Sequence, residues 1–221
     1  MAKKFSRPKT KRELDDKEVA GLWRAIGLVK SIADSRQKIT LNTIRSIHAE
    51  ILKDSEPQIA GKFRVTGQGV RKLRCVQPPE GSKVNEEIYN FWRDFDYRSS
   101  LIQLRPRFSS FKSTKYKKWW SDVIELAVWA QHKFVSIHPF SQGNGRTARL
   151  LTNLVLQRYG IKPSQVKYEG DMKEKYLEAL CRADKYRDYE PLKQIVIKGV
   201  IEVYKKEKKL RQRLKAEKSK S

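Results

Sequence analysis

Apolar residues recur every three to four positions along most of the chain, which is the spacing of amphipathic helices. Residues 18–32 carry this pattern, and Thr40 is placed to cap a second helix that runs to Leu52. The same spacing predicts further helices over residues 84–95, 119–134, 147–159, 174–182 and 191–204. The pattern therefore indicates a mainly α protein.

Residues 63–79 depart from the helical period. They contain short β-favouring runs around Gly67 and Gly69, and a Pro-Pro pair ends the segment. We expect a small β-hairpin here, beside the helices. Residues 98–116 are polar and basic, which favours a surface insertion. The expected fold class is a helical bundle with one small β-hairpin.

The length of 221 residues suits one globular domain with tails. We expect a basic N-terminal tail over residues 1–14, the domain over 15–204 and a basic C-terminal tail over 205–221. The longest apolar stretches are too short to cross a membrane, and no apolar segment follows the basic start, so no secretory signal is predicted. Cys75 and Cys181 match no metal or redox spacing. Reduced thiols in a cytoplasmic protein are therefore expected.

Lysine and arginine total 49 against 25 aspartate and glutamate residues, which gives a formal net charge of +24. Much of the excess lies in the tails, and a further basic run over residues 105–118 carries interleaved aromatic residues. Three interpretations stay open. The charge is a solubilising surface, or it attracts an acidic protein or a nucleic acid, or the C-terminal run is an address for export as an effector. No recognised nucleic-acid-binding module is visible.

One short run concentrates the candidate chemistry: the residues from His138 to Arg149 read HPFSQGNGRTAR. Its glycines let backbone N–H groups approach phosphate oxygens because no Cβ blocks them. A helix that begins at such a turn directs its positive end at an anion. Arg146 and Arg149 are three positions apart, so both can project from the first turn of that helix. His138, with an ordinary pKa near ~6.5, lies beside this cradle and can accept a proton.

This run resembles the motif of the Fic family, HPFx[D/E]GNGRxxR, at every specified position but one. The resemblance implies a Fic-type helical bundle with a β-hairpin flap. It also implies an enzyme that transfers AMP from ATP to a serine, threonine or tyrosine hydroxyl of a target protein. Two alternatives remain: a Fic protein that uses another phosphate-containing donor, and an inactive or nucleic-acid-associated scaffold that kept the fold.

The resemblance assigns roles to individual residues. His138 is the base that removes the proton of the target hydroxyl, and Phe140 anchors the loop by pointing inward. The expected phosphate-binding set is Gly143, Asn144, Gly145, Arg146 and Arg149. The flap would clamp the target by main-chain pairing, largely independent of target sequence. Its expected residues are Arg64, Val65, Thr66, Gly67, Gln68, Gly69, Val70 and Arg71.

Gln142 is the departure from the family motif. In the family this position is usually acidic and helps to hold Mg²⁺. Glutamine offers only a neutral carbonyl oxygen, so the affinity for a hard cation falls. The expected cofactor is still Mg²⁺, held weakly by Gln142 together with Asn144, with ATP as the co-substrate.

Many family members are silenced by a helix with the pattern [S/T]xxxE[G/N], whose glutamate pairs with the second arginine of the motif. No clean copy exists here, because residues 46–50 have the spacing but Ile51 follows them. We therefore expect either a separate antitoxin-like inhibitor or no restraint. His48 and His132 lie within apolar helical stretches and are expected to be satisfied core or near-core histidines.

Overall fold

The computed structural model describes residues 10–65, 75–166 and 169–218. Within these residues the chain is mainly helical, which confirms the predicted fold class. The central residues of the expected hairpin, 66–74, lie outside the described residues. The helices are α1 (Lys11–Ser35), α2 (Leu41–Leu52), α3 (Val84–Ser100), α4 (Thr114–Ile137), α5 (Asn144–Arg158), α6 (Gly170–Tyr186) and α7 (Glu190–Lys218).

Helices α4 and α5 form the centre of the bundle and pack against each other. Helices α3, α6 and α7 contact α4, while α1 and α2 contact α5. Because neighbours surround α4, most of its residues from Val123 to Ile137 are buried. On α5 the apolar residues that produce the helical spacing are buried: Leu150, Leu151, Leu154 and Val155. The loop that joins these two helices, residues 138–143, is therefore held between rigid elements.

Helix α1 begins at Lys11, earlier than the apolar pattern indicates, because the Thr10 side chain caps its first turn. The large Trp23 is 70% exposed. A Cβ at Gly21 would collide with the Ile51 carbonyl oxygen, so the backbones of α1 and α2 approach closely. The buried face of α1 accordingly consists of small residues spaced four apart: Gly21, Ala25, Val29 and Ala33.

Cys75 and Cys181 form a disulfide bond, and their Cα atoms are 5.6 Å apart. The expectation of reduced thiols is therefore wrong. The two residues are separated by 106 positions in sequence, and only the fold brings them together. The bond ties the last part of the expected hairpin segment to helix α6.

Helix α7 continues to Lys218, beyond the predicted end near Tyr204. Lysine and arginine are good helix formers, so the basic sequence can continue the helix without burying an apolar face. An ion pair between Lys162 and Glu207 (2.7 Å) ties this part of α7 to the segment before α6. In the part of the chain that the structure describes, no helix is long and apolar enough to cross a membrane.

Candidate active site

The loop between α4 and α5 begins with an unusual backbone conformation. His138 is the C-cap of α4 and has φ 51° and ψ 57°, in the left-handed region that non-glycine residues rarely adopt. Its N–H donates to the Phe134 carbonyl oxygen (3.0 Å). Such a conformation costs ~1–3 kcal/mol and persists only where the surroundings fix it. The contacts around His138 must therefore hold it in place.

Arg64 supplies several of those contacts. Its Nε donates to the His138 carbonyl oxygen (2.8 Å), and its Nη2 donates to the carbonyl oxygens of Pro79 (2.5 Å) and Ile137 (3.3 Å). Its backbone N–H donates to the Pro139 carbonyl oxygen (2.9 Å). Arg64 is only 2% exposed. This guanidinium therefore braces the loop that carries the motif, and the expected place of Arg64 in the target-docking flap stays a prediction.

The rest of the expected flap is described only at its first residue. Val65 is 56% exposed, so its side chain is accessible to a partner. Residues Thr66 to Arg71 lie outside the described residues. Target docking by this segment therefore stays a prediction.

The His138 ring has the tautomer that a general base needs. Its Nδ1 lies 3.2 Å from the Val135 carbonyl oxygen, which can only accept, so Nδ1 carries the hydrogen and Nε2 keeps its lone pair. Burial lowers the pKa of His138 from its ordinary value. The hydrogen bond to Val135 opposes this lowering of the pKa, and the Arg64 guanidinium adds to it. At neutral pH the ring is therefore uncharged.

Phe140 and Asn144 close the loop by a reciprocal pair of hydrogen bonds. The Phe140 N–H donates to Asn144 Oδ1 (3.0 Å), and Asn144 Nδ2 donates to the Phe140 carbonyl oxygen (2.6 Å). Phe140 is fully buried, so its side chain points inward where an anchor was expected. Both polar atoms of the Asn144 amide are committed to Phe140. The Asn144 side chain therefore holds the loop, and its expected role toward Mg²⁺ or phosphate stays a prediction.

Gly143 begins the second half of the motif as the N-cap of α5, with φ 74°. It has no side chain to cap the helix, so the first N–H groups of α5 lack intrahelical acceptors. A Cβ at Gly143 would also lie only 3.1 Å from His48 Nε2. Both the backbone conformation and the space therefore require glycine. The positive end of α5 is left available to an anion.

His48 and His132 are satisfied structural histidines, as predicted. The Gly61 N–H donates to His48 Nδ1 (2.9 Å), and His48 Nε2 bonds the Gln142 carbonyl oxygen (3.0 Å). His132 is 1% exposed and its Nε2 lies 3.2 Å from Asp184 Oδ1. His132 thus serves the packing of α4 against α6, whereas His48 reaches the motif loop.

Arg146 pairs with Glu18 of α1 through both of its terminal nitrogens. Nη1 lies 3.0 Å from Glu18 Oε2, and Nη2 donates to Oε1 (3.3 Å). A carboxylate on a guanidinium fork occupies the positions that two phosphate oxygens would take. Glu18 has no signal in the sequence, because it is 128 positions from Arg146 and lacks the family's inhibitory pattern. Only the packing of α1 against α5 reveals the pair.

The second arginine of the motif lies at the same end of α5. A Cβ at Gly145 would lie 3.5 Å from Arg149 Nη1, so this guanidinium covers the glycine. Both motif arginines therefore surround the start of the helix, as their spacing predicts.

Gln142 is exposed on the outer side of the loop. Its carbonyl oxygen bonds His48, which leaves its side-chain amide as the group that can meet a cation. Among the described residues, no group of three or more His, Cys, Asp and Glu side chains could hold a metal ion. Mg²⁺ at this loop would therefore depend on the Gln142 amide oxygen and on oxygens of a bound nucleotide.

Comparison with known proteins identifies the family. The model of the Fic/DOC family matches residues 38–156, which include the motif loop and helices α2 to α4. A Nematostella vectensis protein named protein adenylyltransferase Fic is 31% identical over 172 residues, or 77% of this chain and 35% of the relative. A Fido domain-containing protein of Dictyostelium discoideum is 43% identical over 110 residues, or 48% of this chain and 73% of that protein.

A solved structure of a fragment of Fic-1 from C. elegans has the same fold. It matches with a TM-score of 0.65 and 26% identity, and the match covers 96% of this chain and 54% of that chain. The chain spans only about a third of the length of the Nematostella relative. By its motif, its fold and the family match, the chain belongs to the Fic/DOC family.

Proposed function

We propose that this chain transfers AMP from ATP to a serine, threonine or tyrosine hydroxyl of another protein. The observation that carries the proposal is the uncharged His138 ring, held in a strained conformation beside a glycine- and arginine-rich helix start. The names of the Nematostella and C. elegans relatives, both protein adenylyltransferases, support the proposal.

The nucleotide would be held by its phosphates at the start of α5. The backbone N–H groups of Gly143, Asn144 and Gly145 would bind phosphate oxygens, because the first turn of a helix leaves such donors without intrahelical partners. Arg146 and Arg149 would take the distal phosphates with their guanidinium forks. The backbone donors are fixed before the nucleotide arrives, so they need no reorganisation as charge develops.

His138 would act as the general base. The target hydroxyl oxygen attacks the α-phosphorus of ATP and forms a new P–O bond, while Nε2 takes the hydroxyl proton. The bond from that phosphorus to the bridging oxygen breaks, and pyrophosphate leaves with the electron pair. The protonated ring then returns its proton to solvent. Positioning and charge stabilisation supply most of the acceleration.

Mg²⁺ would bind this loop only weakly. The Gln142 amide oxygen is a neutral ligand, whereas hard cations prefer charged oxygens. When bound, Mg²⁺ would neutralise part of the charge on the phosphates. The residues of this chain thus fit a site that needs nucleotide oxygens to complete it, and the reaction should require a high Mg²⁺ concentration.

We propose that the expected flap, from Arg64 to Arg71, docks the target protein. Pairing of its main chain with that of the target would present the target hydroxyl to His138. The exposure of Val65 beside the braced Arg64 supports this assignment.

Glu18 is proposed to restrain the loop from within the chain. Its carboxylate competes with a nucleotide phosphate for Arg146, so the pair has to open before the triphosphate can bind fully. A separate antitoxin-like inhibitor is the alternative source of restraint, and it would have to stabilise the same pair or cover the same arginine.

The net charge of the chain indicates the class of its partners, and the disulfide bond indicates the compartment in which it acts. A net charge of +24 favours an acidic target, with a nucleic acid as the second class of anionic partner. The bond between Cys75 and Cys181 favours export to an oxidising compartment over a reducing cytoplasm.

A second candidate function is the transfer of another phosphate-containing group. The observation that favours it is Gln142, a neutral residue where the family motif has an acidic one.

One experiment tests both functions: purified protein is incubated with Mg²⁺, cell lysate and ATP labelled at either the α- or the γ-phosphate. We expect the label that appears only when the protein is added to the lysate to come from α-labelled ATP alone. His138→Ala should abolish it, while Lys133→Ala, on α4 outside the loop, should retain it. Label from the γ-position would favour the second candidate, and no label from any nucleotide would refute the transferase.

A further inference from the structure

His48 joins two segments that both belong to the site. It lies on α2, is fully buried, and bonds the loop through its Nε2 and the Gln142 carbonyl oxygen (3.0 Å). Its Nδ1 accepts a hydrogen bond from the N–H of Gly61 (2.9 Å), three residues before the loop brace Arg64. Since α2 is packed in the bundle, the His48 ring fixes the position of the loop relative to this helix.

The two hydrogen bonds fix the tautomer of His48. An N–H group only donates, so Nδ1 must be an acceptor and Nε2 must carry the hydrogen that the Gln142 carbonyl oxygen receives. Burial lowers the pKa of His48 to about 4. The hydrogen bond to Gln142 opposes this lowering of the pKa, and the charge of Arg146 adds to it. The ring therefore stays neutral and keeps both roles at ordinary pH.

The position of the ring is also fixed by packing. It stacks on Phe140 with ring centroids 3.6 Å apart and an interplanar angle of 4°. Phe140 is held in turn by its reciprocal bonds with Asn144. A Cβ at Gly143 would lie 3.1 Å from His48 Nε2, so the loop backbone passes directly over the donor.

The direction of one peptide plane follows from these contacts. In a trans peptide the C=O and the following N–H point in opposite directions. Because the Gln142 carbonyl points at the buried His48, the N–H of Gly143 points away from it, toward the outer side of the loop. Without that bond, the glycine at position 143 permits the plane to rotate, and a carbonyl oxygen would then face the phosphate.

We propose that His48 is a positioning residue of the phosphate loop: its Nε2–H holds the Gln142–Gly143 peptide so that the Gly143 N–H can bind a nucleotide phosphate. This inference rests on the proposed nucleotide-binding function. His48 does not touch the nucleotide, because it is fully buried beneath the loop.

Two substitutions of His48 separate its two hydrogen bonds. In His48→Gln the amide nitrogen reaches the position of Nε2 and can donate to Gln142. In His48→Asn the side-chain oxygen reaches only the position of Nδ1 and can accept from Gly61. A merely structural role would make the two variants alike, while a positioning role makes them differ. His132→Asn, which changes an equally buried histidine bonded to Asp184, is the control for core disruption.

The measurement is the ATP dissociation constant of each folded variant, together with crystal structures of the unliganded proteins. We expect His48→Gln to raise the dissociation constant less than ~threefold, because it keeps the hydrogen bond to Gln142. We expect His48→Asn to raise it ~tenfold or more, because the hydrogen bond that orients the Gly143 N–H is lost. His132→Asn should leave it unchanged. We expect the Gln142–Gly143 peptide to be rotated in His48→Asn and unmoved in His48→Gln.

Two results would overturn the inference. One is an equal loss of ATP affinity in His48→Gln and His48→Asn, and the other is an unmoved peptide in His48→Asn. If the unsubstituted protein binds no ATP, the proposed function fails. The unliganded crystal structures then still decide whether His48 sets the peptide.

Discussion

At the scale of single residues, buried side chains hold the backbone of the loop rather than reach into the site. Arg64, Asn144 and His48 each donate a hydrogen bond to a loop carbonyl oxygen, at His138, Phe140 and Gln142 respectively. These bonds offset the strain of His138 and direct the backbone groups that would meet phosphate. The proposed chemistry falls to the half-buried His138, through its Nε2.

The pH dependence of transfer tests the state of His138. Because burial lowers the pKa of this ring, the base should remain uncharged below the ordinary histidine value of 6.5. We expect kcat/KM for AMP transfer to be constant around neutral pH and to fall only at a midpoint below 6.5. A profile that falls with a midpoint above 6.5 would contradict the neutral, desolvated base.

The charge of the residue at position 142 tests the weak metal site. Gln142→Glu restores a carboxylate where the loop is exposed, so the Mg²⁺ concentration for half-maximal transfer should fall by about tenfold. Gln142→Asn is the matched control, since it keeps a neutral amide and should not lower the requirement. An unchanged Mg²⁺ requirement in Gln142→Glu would show that this position does not meet the cation.

At the scale of elements, the sequence predicts helices whose buried face is made of large residues and fails where small residues pack. The leucines of α5 are buried as their spacing indicates. On α1 the large Trp23 is exposed, because close approach to α2 selects Gly21 and Ala25 for the interface. Likewise the motif identifies Arg146, but its partner Glu18 is fixed by helix packing and has no local signal.

The pair between α1 and α5 predicts a gain of function. Glu18→Gln removes the charge that competes with phosphate for Arg146, so the KM for ATP should fall several-fold. Stability should change by less than ~1 kcal/mol, because the pair is partly solvated. Glu13→Gln is the matched control on the same helix, where the carboxylate pairs with Lys17. An unchanged KM in Glu18→Gln would mean that the pair does not restrain the loop.

At the scale of the whole molecule, a bundle centred on α4 and α5 is stapled at its edge by the disulfide. Composition and periodicity are sufficient to predict the helical class, since each helix carries its own pattern. The pairing of Cys75 with Cys181 is different, because two cysteines 106 positions apart carry no information about distance in space. The helix over the basic residues after Tyr204 is also not predicted, because only Leu210 and Leu214 have helical apolar spacing there.

Reduction of the disulfide should destabilise the fold without unfolding it. Closing so long a loop stabilises a protein by ~2–5 kcal/mol, mainly through the unfolded state. We expect the midpoint of urea unfolding to fall on addition of a thiol reductant. Cys181→Ser should start at the lower midpoint and should not respond to the reductant. Identical midpoints with and without reductant in the unsubstituted protein would show that the bond does not form.

The most direct measurement for the account as a whole is a crystal structure of the protein with a non-hydrolysable ATP analogue and Mg²⁺. We expect phosphate oxygens within hydrogen-bond distance of the Gly143 and Gly145 N–H groups and of Arg146, with Glu18 displaced. The α-phosphate should face His138 Nε2 across a space that admits one hydroxyl. An empty loop at saturating analogue, or a His138 ring turned away from the α-phosphate, would contradict the account.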